Sequence, residues 1–229
     1  MPWDNSKLSK NSRKVALCCD TPGFKTDSEV LKGLTIAADA LSNVGFEVHE
    51  VSPPLLEETA KEGYSALLGE VSGLLGDDIR KYGSKKIQMI FDEYFRQFEP
   101  YEGRKLLTAM ANRTRYAREW SLFMDEYPLI ISNLIPTTFF YPDRDAEGAA
   151  GVTEVLGAAL WSYSVNFIGH PAGIVPTHIS YTKTGATPIG IQIIGQRWRE
   201  DTVVSALIAI EKHCGTIYEK LWKQLGWLN

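Results

Sequence analysis

The chain has 229 residues, of which 44% are hydrophobic and 23% charged, a balance typical of a globular protein and not of a disordered or collagen-like chain. Its formal net charge of -4 at pH 7 provides no long-range attraction to nucleic-acid phosphates. Arg113, Arg115 and Arg118 form the nearest basic cluster, but their spacing spreads them around a helix. We therefore expect no nucleic-acid partner.

Membrane insertion and metal binding are also disfavoured by the sequence. No apolar segment approaches the ~20 residues needed to span a bilayer, and the polar start MPWDNSKLSKNSRK does not resemble a signal peptide. We therefore expect no membrane segment and a cytoplasmic location. The three cysteines, Cys18, Cys19 and Cys214, lack metal-ligand spacing, so we expect reduced thiols and no metal site.

The chain begins with the pattern of a strand, a helix and a second strand. Lys14 to Cys19 reads as a buried strand. Thr26 and Glu29 are placed as a capping box for a helix that ends before Gly45. The segment FEVHEV then alternates as a strand does, with His49 on its polar face. Together these segments predict a βαβ unit.

The middle of the chain is predicted to be helical from Leu55 to about Met124, with breaks near Gly83 and Pro100. Apolar residues at helical spacing predict buried faces on the second and third of these helices. In the second helix they are Ile87, Ile90, Phe91, Tyr94, Phe95 and Phe98, and in the third they are Leu107, Met110, Ala111, Ala117 and Trp120. YPLIIS then predicts a buried strand, and the polar and aromatic loop after it is a candidate pocket wall.

The last third alternates between helix and strand. Gly151 to Asn166 is predicted to be helical in its first part, and AGIVP and PIGIQIIG read as apolar strands. PIGIQIIG is apolar on nearly both faces, which predicts a central strand, and Gln192 within it requires hydrogen-bond partners. A further helix begins at Asp201 or Thr202. We predict one α/β domain over residues 1–229, with a mixed sheet flanked by helices and a helical insertion at about 55–124.

The segment from Asn166 to Lys212 resembles the C-terminal region of the amidase signature family. The resemblance rests on Asn166, Gly169, Pro171, Ala172, Pro176, Pro188, Gly190, Gln192, Gly195, Glu200 and Asp201. The opening βαβ segment and YPLIISNLIPTT also resemble their counterparts in that family, so the likeness spans nearly the whole chain. It implies the C-terminal half of the amidase signature fold, and HPAGIVP is similar to the form found in fatty-acid amide hydrolases.

The resemblance also implies a chemistry whose reacting groups are not found in this sequence. Family members hydrolyse carboxamides with a serine nucleophile, a cis-serine and a lysine base, without a cofactor, and these groups precede the region matched here. EVSGLLG and YGSKK lack the Gly/Ser-rich pattern of that site. We therefore assign no catalytic residue, and we interpret His170 as a turn or pocket-rim residue, because a base without a positioned nucleophile performs no acyl transfer.

What the resemblance implies for this half is substrate binding. The family's acyl pocket is partly lined by segments that correspond to Ile135, Pro136 and Thr137 and to Trp161, Ser162, Tyr163 and Val165. The bulky Trp161 and its apolar neighbours favour an apolar or aryl acyl group. Ala159 stands where the glutamine-dependent relatives carry an acidic residue, which disfavours a glutaminase.

Two functional hypotheses remain open. The first is a C-terminal portion of an amidase that is inactive alone and binds a small amide substrate. The second is a non-enzymatic binding module, or a partner subunit that completes a separate catalytic chain. In the first case, apolar surface meant for the catalytic half would be open, so the isolated chain is expected to self-associate.

Overall fold

A computed structural model describes residues 13–182 and 185–228, which form two compact units. The sheet unit consists of the described residues within Met1–Pro54, Trp120–Phe139 and Gly169–Asn229. The helical unit consists of Leu55–Glu119 and Phe140–Ile168. The single domain with a helical insertion at about 55–124 stays a prediction.

The sheet unit is built on one mixed five-stranded sheet, which confirms the α/β fold class. Its strands are β1 Lys14–Cys18, β2 Glu47–Glu50, β3 Leu129–Asn133, β4 Ala172–Thr182 and β5 Gly185–Gly195. Their order is β2-β1-β3-β5-β4. β1 runs parallel to β2 and β3, and β5 runs antiparallel to β3 and β4. The parallel pairing of β1 with β2 confirms the predicted βαβ unit.

Eight α-helices and a short 3₁₀ helix occur in the described part of the chain. They are α1 Ser28–Asn43, α2 Leu56–Tyr82, α3 Lys85–Gln97, α4 Gly103–Glu126, the 3₁₀ helix Arg144–Ala146, α5 Ala149–Gly157, α6 Leu160–Ile168, α7 Glu200–Cys214 and α8 Ile217–Gln224. Among these helices, none has the length and apolar character needed to cross a membrane.

β5 is an interior strand of the sheet, between β3 and β4, as the sequence predicts. Ile189, Ile191 and Ile193 are almost fully buried, and they join one core with apolar residues of α1 and α7. Leu34 of α1 and Ile210 of α7 have no exposed surface in that core. β5 has a strand on each edge and helices packed against it, so its side chains are removed from water, which favours apolar residues.

The start of α1 differs from the predicted capping box. Asp27, and not Thr26, is the N-cap, and its Oδ1 accepts a hydrogen bond from the Glu29 backbone N–H at 2.8 Å. The Thr26 hydroxyl donates instead to the Cys19 carbonyl at 2.8 Å. The Glu29 side chain is thereby released from a capping role and is available for a distant partner.

The predicted buried faces of α3 and α4 were wrong in part. Ile90 is the only residue of α3 that is fully buried, and Leu107 of α4 is 71% exposed. The buried residues of α4 are Ala109, Tyr116, Ala117, Trp120 and Met124. Spacing alone predicts which residues share a face of a helix, but it does not tell what covers that face.

The segment around Trp161 was predicted to be helical only in its first part, but it forms two helices, α5 and α6. The break falls at Ala158 and Ala159 between them. The four residues predicted to line a pocket in this segment therefore lie on a regular helix, which distributes them over different faces.

Glycines within α2 have different roles. A Cβ at Gly69 would lie 2.0 Å from the backbone oxygen of Tyr101, whereas a Cβ at Gly73 would meet no atom within 4 Å. The Tyr101 N–H donates to the Ser65 carbonyl at 3.0 Å, which keeps this chain segment against the helix. Gly69 is therefore required by the close approach of backbone, and Gly73 is not.

This difference predicts opposite effects for one chemical change. Gly69→Ala should lower the free energy of unfolding by about 1 to 3 kcal/mol, because the backbone has to shift. Gly73→Ala should raise it by about 0.5 to 1 kcal/mol, because alanine is the better helix former. Urea denaturation followed by circular dichroism measures both, and equal effects would contradict the packing assigned to Gly69.

Candidate functional site

The residues predicted to line a substrate pocket fall into two groups, one in each unit. Ile135, Pro136 and Thr137 follow β3 in the sheet unit, and Trp161, Ser162, Tyr163 and Val165 lie on α6 in the helical unit. Each group borders a cavity of its own unit.

In the sheet unit, the loop after β3 meets the start of α1. The Pro136 carbonyl accepts a hydrogen bond from the Asp27 N–H at 2.8 Å. Pro136 is buried, Ile135 and Thr137 are half-buried, and the Thr137 hydroxyl oxygen has no hydrogen-bond partner. The loop therefore lies at the carboxyl ends of β1 and β3, which is where ligands bind in many α/β sheets.

Next to this loop lies a polar cavity of about 490 Å³. Its lining residues are Asp27, Ser28, Glu29, Lys32, Thr138, Ile179, Ser180 and Tyr181. Thr138 belongs to the loop that the sequence indicates as a pocket wall, whereas the three predicted residues just before it do not line the cavity.

A contact between a histidine and a carboxylate that lines this cavity was missed by sequence reasoning. His178 Nε2 lies 3.1 Å from a carboxylate oxygen of Glu29, and its Nδ1 lies 3.1 Å from the Thr177 hydroxyl. The pairing of β4 with β5 shifts register between Pro176 and His178, which lets Thr177 and His178 both point toward α1 and its neighbours. The two partners are 149 residues apart, so no local pattern could have predicted this contact.

In the helical unit, α6 presents two different faces. Trp161 and Val165 lie one turn apart and are buried, at 0% and 4% exposure. Tyr163 lies on another face and lines a cleft. Ser162 is half-buried, and its hydroxyl accepts a long hydrogen bond from the Asn166 amide at 3.5 Å. Of the four predicted residues, only Tyr163 therefore reaches the cleft.

The cleft measures about 340 Å³ and is lined by residues of α2, α4 and α6. The lining residues are Gly63, Ala66, Leu67, Glu70, Met110, Arg113, Tyr163, Asn166 and Phe167. Most of them are small or apolar, with charged side chains among the exposed ones. Cavities of this size and character are typical of small-molecule sites.

Tyr163 is held against Tyr64 of α2. Their ring centroids lie 4.2 Å apart, and burial raises the pKa of both phenols. The two hydroxyls therefore stay protonated at neutral pH and serve as hydrogen-bonding groups, not as bases. The contact fixes the orientation of Tyr163 at the edge of the cleft.

His170 is a buried residue at a third cavity. Its Nδ1 donates to the Gly195 carbonyl at 3.0 Å, and its Nε2 has no hydrogen-bond partner. Burial lowers the pKa of the imidazole, and the nearby Arg197 lowers it further. The cavity, of about 290 Å³, is also lined by Ser121, Asp125, Gln196, Arg197 and Arg199. His170 is thus a neutral residue that joins β5 to the turn before β4.

The cysteines are placed as structural thiols. The Cys18 thiol donates to the Val51 carbonyl at 2.9 Å, and burial raises its pKa to about 12. Burial also raises the pKa of Cys19 and of Cys214. Because a thiolate is the nucleophilic form, none of the three is activated. Within the described ranges, no group of three or more His, Cys, Asp and Glu side chains could hold a metal ion.

Comparison with known proteins identifies what the chain is similar to. A family model described as Amidase matches residues 3–204. An indoleacetamide hydrolase of Bradyrhizobium japonicum is 27% identical over 217 residues, which is 94% of this chain and 46% of that protein. A fatty acid amide hydrolase of Medicago truncatula is 29% identical over 211 residues, or 89% of this chain and 34% of that protein.

Solved structures show the same fold. A 6-aminohexanoate cyclic dimer hydrolase in complex with its substrate superposes with a TM-score of 0.69 at 18% identity, covering 92% of this chain and 47% of that one. A bacterial aryl acylamidase gives a TM-score of 0.68 at 17% identity, covering 93% of this chain and 45% of that one. The chain thus spans about half the length of the proteins it matches.

The environment of His170 predicts a pH-dependent contribution to stability. Because its pKa is lower in the folded chain, the unfolded chain binds the proton first as the pH falls. The stabilisation is therefore complete above the unfolded pKa of about 6.5 and is lost as the pH drops toward the folded pKa. His170→Asn keeps a donor for Gly195 and removes the titrating group.

Between pH 7 and pH 5.5, the wild-type chain should lose up to about 1 kcal/mol more of its unfolding free energy than the His170→Asn variant loses. Urea denaturation at the two pH values measures the difference, and the other three histidines cancel in the comparison. Equal losses would mean that His170 titrates normally, and an NMR titration of the wild-type imidazole would test this independently.

Proposed function

The chain belongs to the amidase family, and from that premise we propose that it supplies the substrate-binding half of an enzyme that hydrolyses the C–N bond of a carboxamide. Relatives at family level are amide hydrolases and an amidotransferase subunit. The proposed substrate is a small amide with an apolar or aryl acyl group. The proposed location is the cytoplasm.

The observation that carries this proposal is the cleft on α6. It is concave, largely apolar and close in size to small-molecule sites, and it is lined by Tyr163 of the segment that the resemblance associates with the acyl pocket. Gly63 lets α2 approach Phe167 closely at the cleft, since a Cβ there would lie 2.6 Å from the Phe167 side chain. Trp161 and Val165 support it as buried residues of the same helix.

The reacting groups are proposed to come from outside this chain. The sequence lacks a counterpart of the family's Gly/Ser-rich stretch, and the three cysteines are held as neutral thiols by burial. Tyr163, the one predicted residue in the cleft, is kept protonated. These features support a role in binding, with turnover dependent on a serine and a lysine supplied elsewhere.

A second candidate is a partner subunit that completes a separately encoded catalytic chain. It is favoured by the edge of the sheet, because β4 is the terminal strand among those described and runs for 11 residues. Ile174 and Tyr181 of that strand are 49% and 67% exposed. A long edge strand with exposed apolar side chains is a surface on which another chain can pair, including a second copy.

The proposal is tested by measuring activity and intact mass together. The purified chain should release no ammonia from apolar alkyl or aryl amides above the rate of a buffer blank. The protein isolated from its source cells should have a mass well above 25.6 kDa and should hydrolyse such amides.

Hydrolysis by the chain alone that is abolished by a serine substitution would overturn the proposal. A mass of 25.6 kDa, with a Ser/Lys-bearing chain that co-purifies and restores turnover, would establish the partner-subunit alternative instead.

A further inference from the structure

The cleft on α6 contains two charged side chains whose charges are not neutralised in the described part of the chain. Glu70 of α2 forms no hydrogen bond or ion pair there, and Arg113 of α4 uses only its Nε, which donates to the Phe167 carbonyl. Both side chains are exposed, and they do not pair with each other.

Glu62, one turn before the cleft, accepts hydrogen bonds from Asn112 and Tyr116. Asp78 and Arg104 are exposed charges as well, so what distinguishes Glu70 and Arg113 is that they are the charged residues among those lining the cleft.

The two charges stand on either side of apolar surface. Leu67 precedes Glu70 by one turn of α2, and Met110 precedes Arg113 by one turn of α4. Both apolar side chains line the cleft and are partly exposed, at 46% and 39%. The Nε hydrogen bond of Arg113 to the last turn of α6 fixes the base of its guanidinium, so that the two terminal nitrogens keep a defined position at the rim.

We propose that this cleft binds a small zwitterion with an apolar body, whose carboxylate meets Arg113 and whose ammonium meets Glu70. The apolar body lies against Leu67, Met110 and Phe167. A ligand with only a negative charge is attracted by Arg113 but repelled by Glu70, and a ligand with only a positive charge meets the reverse. The inference rests on the proposed function in taking the cleft as a substrate site, and it names the polar ends of the bound molecule.

Two sources share this chemistry. One is an α-amino acid with a large apolar side chain, whose two charges are adjacent. The other is an ω-amino acid, whose charges are separated by methylene groups. L-leucine and 8-aminooctanoate serve as the probes for the two sources, and saturable binding of either one supports the inference and identifies which spacing the cleft takes.

The test compares three ligands with the same eight-carbon body, measured by NMR chemical-shift titration of the chain at low salt. 8-Aminooctanoate should bind about fivefold more tightly than octanoate and than octylamine. L-Leucine, measured in parallel, replaces 8-aminooctanoate in the comparison if it is the tighter binder.

Two variants assign the charges. In Arg113→Gln the zwitterion should bind no better than octylamine, because the carboxylate has lost its partner. In Glu70→Gln it should bind no better than octanoate. Arg104→Gln and Asp78→Asn, which remove exposed charges of α4 and α2 outside the cleft, should leave the wild-type ratios unchanged. The readout is the ratio of two ligands' affinities for the same protein, so it does not depend on small changes in that protein's stability.

The inference is overturned if octanoate or octylamine binds as tightly as both zwitterions, if the two cleft variants keep the wild-type ratios, or if neither zwitterion saturates the cleft. The measurement is independent of turnover. Zwitterion binding without amide hydrolysis by the protein from its source cells would remove the proposed function alone. Hydrolysis of apolar amides without zwitterion binding would remove this inference alone.

Discussion

The constraint on which the sheet unit depends is the burial of β5, whose second half is enclosed between the flanking strands β3 and β4. β5 pairs antiparallel with β3 and with β4, and Ile191, Ile193 and Ile194 have no exposed surface. A strand in this position loses its apolar contacts unless helices cover it. The packing of α1 and α7 against the sheet follows from that requirement. Glycines let α7 approach the sheet closely, as at Gly173, where a Cβ would lie 2.5 Å from Leu207.

The elements that could be predicted from sequence are those whose signal is local. Short apolar runs with turn residues at their ends mark three strands: the first strand, the strand of YPLIIS and the strand of PIGIQIIG. The structure contains all three. The exposure of Leu107 and the pairing of Glu29 with His178 could not be predicted in this way. Both depend on which distant segment lies opposite, and a single sequence carries no information about that.

In the candidate site, too, the sequence predicts what is local and not which distant segments meet. The resemblance selects a stretch of α6, but four residues within five positions of a helix cannot share one face, because successive side chains are rotated by about 100°. Tyr163 therefore faces the cleft while Trp161 and Val165 are buried. The remaining walls come from Leu67 and Met110 on other helices, which the sequence presents only as members of amphipathic patterns. Gln192 was expected to find hydrogen-bond partners, yet within the described residues its Nε2 has none.

The titratable groups of the chain that are buried share one property. Burial favours the neutral form of Cys18, of Tyr64 and Tyr163, and of His170. A group that transfers protons during a reaction needs a pKa near the working pH. Burial instead shifts the pKa of each of these groups in the direction that favours its neutral form. The charged residues at the cleft, Glu70 and Arg113, are exposed, which suits recognition of a charged ligand. In the proposed function, packing, neutral interior groups and a charged rim together serve to hold a molecule in place, and a serine and a lysine supplied elsewhere carry out the hydrolysis.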